Sequence, residues 1–282
     1  TMTNQIAIKV HTQPGDEVLC DATAHIYNYE GGGISFNSGV QAKLLNGAGG
    51  IISASHVEEA INPTFDWLTR TQLVSIENTA NRAGGSYYSL EGMKEIGAVC
   101  KKHQLKYHLD GARIFNAIAE NQYNTLEIGT LFDSISVCLS KGLGAPVGSL
   151  LLGSKEFIFR ARRIRKVFGG GMRQAGYLAA AGIYALDNHV KRLNEDHQRA
   201  TYIGNVLSQL SYIESILPVK TNIVIFNLNG KISPEDFVQQ LANKQIKAVA
   251  FGKQAIRFVT HLNFTDEMLT HTEEVLRNIK VN

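Results

Sequence analysis

The run Ser134-Ile135-Ser136-Val137-Cys138-Leu139-Ser140-Lys141-Gly142-Leu143-Gly144-Ala145-Pro146 reads as an apolar strand that halts at a lysine and breaks at once into glycine. A lysine amine at the mouth of a sheet, its stem against apolar neighbours, is suited to forming a Schiff base with an aldehyde. Other chemically capable groups stand where strands should end. Asp110 follows a β-rich stretch at 106–109, Glu77-Asn78-Thr79 follows 71–76, and His25 lies just beyond 17–21. In open α/β sheets, ligands collect outside the carboxyl ends of the strands, so these groups can converge on one molecule.

Pyridoxal phosphate is a cofactor that asks for this set: an amine, a carboxylate for the pyridine nitrogen, a flat group over the ring, and donors for a phosphate. Lys141 supplies the amine and Asp110 the carboxylate. His25 supplies the stacking group and a candidate base. Ser140 and the helix start at Thr1-Met2-Thr3 supply anion donors through backbone N–H groups. Each piece also has a plainer reading. A lysine after a strand is usually just solvated, Asp110-Gly111 suits a turn or a helix cap, and a lone histidine is usually structural. The glycine triplets at 31–33 and 169–171 fit flexible loops, and neither is a dinucleotide fingerprint. Arg160, Arg162, Arg163, Arg165 and Lys166 form a basic helix face, solvated or in contact with an anion or a subunit.

The elements that must position these groups alternate. A helix is predicted over 3–12, capped by Thr3 or Asn4. Strands follow at 17–21, 42–45, 71–76, 106–109, 134–139 and 148–152, and helices at 55–60, 90–103 and 111–119. Ser55-His56-Val57-Glu58 has the look of a capping box. Such alternation predicts a mostly parallel sheet covered on both faces. From 175 to 210 the pattern is nearly continuous helix. Strand, helix, strand and helix then close the chain, the last helix capped by Thr265. Residues 1–190 are expected to form a large cofactor-binding domain, and 191–282 a long connecting helix with a small C-terminal α+β domain.

Bulk properties narrow the function classes. Of 282 residues, 44% are hydrophobic and 19% charged, with a net charge of only +3, which gives no footprint for nucleic acid or membrane. No apolar run is long enough to span a bilayer. Cys20, Cys100 and Cys138 lack metal-ligand spacing and read as reduced thiols of a cytoplasmic protein, with no metal expected.

Four segments carry a family likeness. His108-Leu109-Asp110-Gly111-Ala112-Arg113, the run Ser136 to Ser149 through Lys141, Gly169-Gly170-Gly171-Met172-Arg173-Gln174 and Arg257-Phe258-Val259-Thr260-His261 resemble the low-specificity L-threonine aldolases, of the aromatic-amino-acid β-eliminating lyase/threonine aldolase group. The resemblance runs from Thr1 to the final helix. It implies an α/β fold of the aspartate aminotransferase type, fold type I of the pyridoxal-phosphate enzymes, and retro-aldol cleavage of L-threonine or L-allo-threonine to glycine and an aldehyde. It makes Lys141 the cofactor-bearing lysine, Asp110 the partner of the pyridine nitrogen, and His25 the stacking residue beside the substrate hydroxyl. It sets Arg113 by the ring's 3′-oxygen and, with Arg257, at the substrate carboxylate. Arg173 would reach phosphate from a neighbouring subunit of a homotetramer or dimer. Ala80 stands where the family often carries histidine. A segment upstream of Thr1, completing the phosphate cup, is expected as well. The rival readings are β-elimination on the same cofactor and an inactive member of the fold.

Overall fold

The computed structural model describes residues 1–281. Helix α1 (Met2–His11) and strand β1 (Asp16–Asp21) are followed by two short helices, α2 (His25–Asn28) and α3 (Gly33–Ser38). Strand β2 (Gln41–Leu45), helix α4 (Ala54–Ala60) and β3 (Arg70–Glu77) come next. Then follow α5 (Leu90–Lys102), β4 (Lys106–Gly111), α6 (Ile114–Asn121), α7 (Thr125–Leu131), β5 (Ser134–Cys138) and β6 (Ser149–Gly153). Helices α8 (Lys155–Val167), α9 (Gly176–His189) and α10 (Leu193–Leu207) lead to β7 (Ile213–Ile216) and β8 (Ile223–Leu228). The chain ends with α11 (Pro234–Ala242), β9 (Val249–Ala250), β10 (Ala255–Val259) and α12 (Asp266–Arg277).

The first sheet has the order β2-β1-β3-β4-β5-β6. Its first five strands are parallel, and β6 alone runs antiparallel, to β5. Strands β1, β3 and β4 are buried along nearly their whole length, as expected of parallel strands covered on both faces. Val74, Leu109 and Ile135 of this sheet pack against Met93 and Ile96 of α5 and Ala117 of α6. The second sheet, β7-β8-β10-β9, is antiparallel. Its apolar face, with Phe226 and Phe258, packs on Ile203 of α10, Phe237 of α11 and Leu276 of α12. Among the described residues no helix is long and apolar enough to cross a membrane.

Local details depart from the sequence reading where tertiary contacts outweigh local preference. Helix α1 begins after Thr1, which makes no side-chain cap bond, and Asn4, expected as a cap, turns inward and is buried. Helix α4 is capped by Ser53, not Ser55: the Ser53 hydroxyl accepts from the His56 N–H, and His56 Nδ1 accepts from the Ser53 N–H. Gly111 stays in β4, and a Cβ there would lie 2.7 Å from the Ser136 carbonyl oxygen. The helix predicted over 111–119 therefore starts at Ile114. The helical run from 175 to 210 is two helices broken at 190–192. At the break, His189 Nδ1 lies 2.6 Å from the Leu143 carbonyl, and Leu193 joins Leu139 and Leu143 in one apolar cluster. Holding both residues on the loop after Lys141 forces the bend.

Candidate active site

In the parallel register Glu77 of β3 pairs with Asp110 of β4, and Asp110 with Ser136 of β5. Three polar side chains thus stand in a row at the carboxyl ends of adjacent strands. Helix α1 lies across that row. Thr3 Oγ1 is 2.7 Å from Ser136 Oγ, and Asn4 Nδ2 donates to Asp110 Oδ2 at 2.9 Å. Asn4 Nδ2 also donates to Glu30 Oε1 at 2.9 Å, and Gln5 Nε2 donates to Glu30 Oε2 at 2.6 Å. The Thr1 nitrogen is 3.7 Å from Glu30 Oε1.

His25 opens α2 beside these acids. Its backbone N–H donates to Glu77 Oε2 at 2.8 Å, and its ring Nδ1 is 3.1 Å from Glu30 Oε1. The ring lies against Tyr29, with centroids 5.5 Å apart. His25, Glu30 and Asp110 bring ligand atoms within 4.8 Å of one another, a spacing that would suit a cation. Asn4 and His25 already donate to these carboxylates, which accounts for the cluster without one.

Lys141 is half-buried in the loop after β5. The next residue, Gly142, is wedged: a Cβ would meet Leu193 at 3.0 Å and Asn116 Oδ1 at 3.1 Å. The Lys141 charge reaches Asp110. Burial and the nearby Glu30 push the Asp110 carboxyl up, while Lys141, His25 and the Asn4 hydrogen bond oppose the rise. For Glu30, burial also acts upward, but hydrogen bonds from His25, Gln5 and Asn4 outweigh it and leave the carboxyl below its ordinary value. Burial and the charge of Asp110 push Glu77 up to about 7.

The two arginines meet at Asn81, whose Oδ1 accepts from Arg113 at 3.4 Å and from Arg257 at 3.0 Å. Arg113 precedes α6, and Arg257 sits on β10 of the second sheet. The Nε atoms of both are buried without a partner. Burial lowers the pKa of both, and for Arg113 the Arg257 charge adds to the effect. Two adjacent cations with unspent donors make a receptor for a carboxylate. Arg257 also stacks on Phe251, 4.5 Å from the ring centroid, with Arg82 at 4.9 Å from the same ring.

The remaining expected residues lie to one side. Met2, Thr3 and Ser140 line a cavity of about 820 Å³ with Arg162, Arg165, Gly170 and Met172. Arg173 is exposed and is not among the lining residues. So Lys141, Asp110, His25, Arg113 and Arg257 group around the strand ends, Ser140 and Met2 flank them, and Arg173 stands apart within one chain. The sequence reading missed three participants: Glu30, Asn4 as a buried donor, and Asn81; Arg162 and Arg165, read as part of a basic helix face, line the cavity. Glu30 carried one signal, a lone acid between aromatic residues and a glycine triplet.

Residues 1–231 match the family model described as beta-eliminating lyase. Low-specificity L-threonine aldolase 1 of Arabidopsis thaliana is 36% identical over 279 residues, spanning 96% of this chain and 78% of that protein. The low specificity L-threonine aldolase of Escherichia coli is 37% identical over 270 residues, spanning 95% and 79% respectively. A solved threonine aldolase of Leishmania major superposes with a TM-score of 0.82 at 21% identity, covering 98% of this chain and 81% of that one. The fold expected from the resemblance is the fold observed.

Proposed function

The chain belongs to the beta-eliminating lyase family, and on that premise we propose that it is a pyridoxal-phosphate-dependent aldehyde-lyase. It cleaves L-threonine or L-allo-threonine to glycine and an aldehyde, and it serves amino-acid metabolism by making glycine. One observation carries this reading: two arginines that share Asn81 and keep unpartnered buried donors, beside a buried acid at a strand end that the charge of Lys141 reaches. The donor set suits the cofactor, since the amine, the acid and the anion receptor are distinct groups and the imidazole of His25 stands beside the acid. When bound, pyridoxal phosphate supplies an electron sink for the pair released as the Cα–Cβ bond breaks.

The chain's own residues do the rest. Lys141 would hold the cofactor through its amine. Asp110 would hold a proton on the pyridine nitrogen. Arg257 and Arg113 hold the substrate carboxylate and thereby fix which bond at Cα stands ready to break. His25 gives its Nδ1 hydrogen to Glu30, so its Nε2 lone pair is available to take the β-hydroxyl proton as the aldehyde forms. Cα then takes a proton, and glycine leaves. Ser140, Thr1, Met2 and Arg173 are assigned to the phosphate, Arg173 by reaching it from a second subunit.

The chain is proposed to act as a homotetramer or dimer in the cytoplasm. Exposed Phe159, Val167, Tyr177, Ile183 and Tyr184 on α8 and α9 support self-association, and the unpaired Cys20, Cys100 and Cys138 support a reducing compartment. Residues 1–190 and 191–282 are taken as its two domains.

The test is an assay of purified protein with L-allo-threonine, L-threonine and L-serine. Acetaldehyde and glycine are expected from the first two. The family description favours one second reading, β-elimination, for which pyruvate would be the product. Pyruvate without acetaldehyde would overturn the aldolase reading.

A further inference from the structure

We propose that Asn4 is a positioning residue that keeps the cofactor-facing acid Asp110 and the His25-facing acid Glu30 both supplied with a donor. We further propose that a buried chain through His108, Ser134 and His11 supplies the donor that the amide oxygen needs in that orientation. This rests on the reading of Asp110 as the partner of a pyridine nitrogen.

The hydrogen-bond directions follow from the end that is unambiguous. Asn4 Nδ2 lies 2.9 Å from both Asp110 Oδ2 and Glu30 Oε1. Carboxylates only accept, so the amide nitrogen must face them, one hydrogen to each. Asn4 Oδ1 is then left as an acceptor, 3.2 Å from His108 Nε2, which must carry a hydrogen. His108 Nδ1 is therefore bare and accepts from Ser134 Oγ at 2.8 Å. That hydroxyl has spent its hydrogen and accepts from His11 Nε2 at 2.8 Å. Every bond points the same way, toward the two acids. The sequence spacing makes this possible. His108 and Asp110 share one face of β4 by the two-residue period, and Asn4 and His11 share one face of α1, two turns apart.

The imidazoles stay neutral, as this directionality demands. His108 is fully buried, and burial lowers it to about 3, aided by the neighbouring His11. His11 is lowered to about 4 by burial, with Lys106 and Arg160 adding to the fall and Asp133 opposing it. The charged or titratable groups facing Asp110 are Glu30, Glu77, Lys141, His25 and Arg113. Two of these are acids, and without the Asn4 amide two buried carboxylates share a pocket with one donor fewer each. One of them then takes up a proton. If it is Asp110, its grip on the pyridine nitrogen weakens. If it is Glu30, His25 loses the partner that sets its tautomer.

The experiment compares wild type, Asn4→Leu and Ser134→Ala. It measures pyridoxal phosphate affinity by reconstitution, the pH titration of the bound cofactor's visible absorbance, and melting of the cofactor-free proteins. Asn4→Leu is expected to weaken cofactor affinity on the order of tenfold or more and to displace the titration. Ser134→Ala, which frees His108 to change tautomer and so can leave the Asn4 oxygen without its donor, moves both in the same direction by less. If Asn4→Leu fails to fold, Ser134→Ala decides the matter alone. Variants that bind and titrate like wild type, or that lose only melting temperature, overturn the inference while the functional reading stands. A wild type that takes up no pyridoxal phosphate overturns that reading and this inference with it.

Discussion

Glu30 holds His25 by one ring nitrogen: Oε1 lies 3.1 Å from Nδ1, and the carboxylate is wholly shielded from solvent. The acid therefore selects the tautomer and leaves Nε2 as the basic atom. Glu30→Gln removes the charge but not the bulk. It is expected to lower kcat about 10-fold to 100-fold with KM nearly unchanged. A kcat equal to wild type, measured by aldehyde release, would show that His25 needs no such partner.

Lys141→Ala is expected to abolish the visible band of the cofactor-bound protein and all turnover, because the variant lacks the amine assigned to the cofactor. Absorbance spectra after reconstitution check this. A band unchanged in the variant would place the cofactor on another residue.

Asp110→Asn keeps the side chain's shape and loses the charge. Cofactor uptake is expected to persist while turnover falls about 10²-fold, the cost of a lost charge-assisted bond at the ring nitrogen. Paired binding and rate measurements separate the two effects, and wild-type rates in the variant would reject the role assigned to this acid.

The arginine pair makes a graded prediction. Arg257→Ala should raise KM for the amino acid by about 10²-fold, more than it lowers kcat. Asn81→Ala, which only frees both guanidiniums, should raise KM by roughly a third as many powers of ten. A larger effect on kcat than on KM for Arg257→Ala would assign that guanidinium to the chemical step.

Stability should carry an acid-range signature from Glu77. Its carboxyl titrates near 4.5 when unfolded and about 7 when folded, raised by burial and by Asp110. The folded state therefore keeps a proton that the unfolded state has lost. The stabilisation from Glu77 is full below 4.5 and fades as pH rises toward 7. Glu30, depressed in the fold, acts oppositely and loses its contribution as pH falls through its folded value. Urea denaturation of the cofactor-free protein from pH 4.5 to 7 should show a flatter profile for Glu77→Gln than for wild type. Identical slopes would refute the Glu77 assignment.

The positions of Lys141 and Asp110 were legible in the sequence because one follows a strand and the other lies at the end of one, and strand ends are where the α/β architecture gathers its chemistry. The four-stranded antiparallel sheet was only partly legible, since β7 and β9 are short and exposed and carry little periodic signal. Asn4 was misread for a physical reason. Near a helix start, an asparagine looks like a cap, and nothing local announces that Asp110, far along the chain, will bury it. Glu30 and Asn81 were hidden similarly, since their partners come from other elements. Local rules find groups that act from an element's end. Groups that act by bridging elements become visible only once the chain is folded.

Arg113 and Arg257 stand on opposite halves of the molecule, with Asn81 bonded to both. Each half therefore owns one tooth of the grip. On the proposed roles, recognition of the amino acid's carboxylate belongs to their pairing, which neither half possesses by itself. A compound that pries the halves apart at that seam is then expected to inhibit the protein without ever touching the lysine.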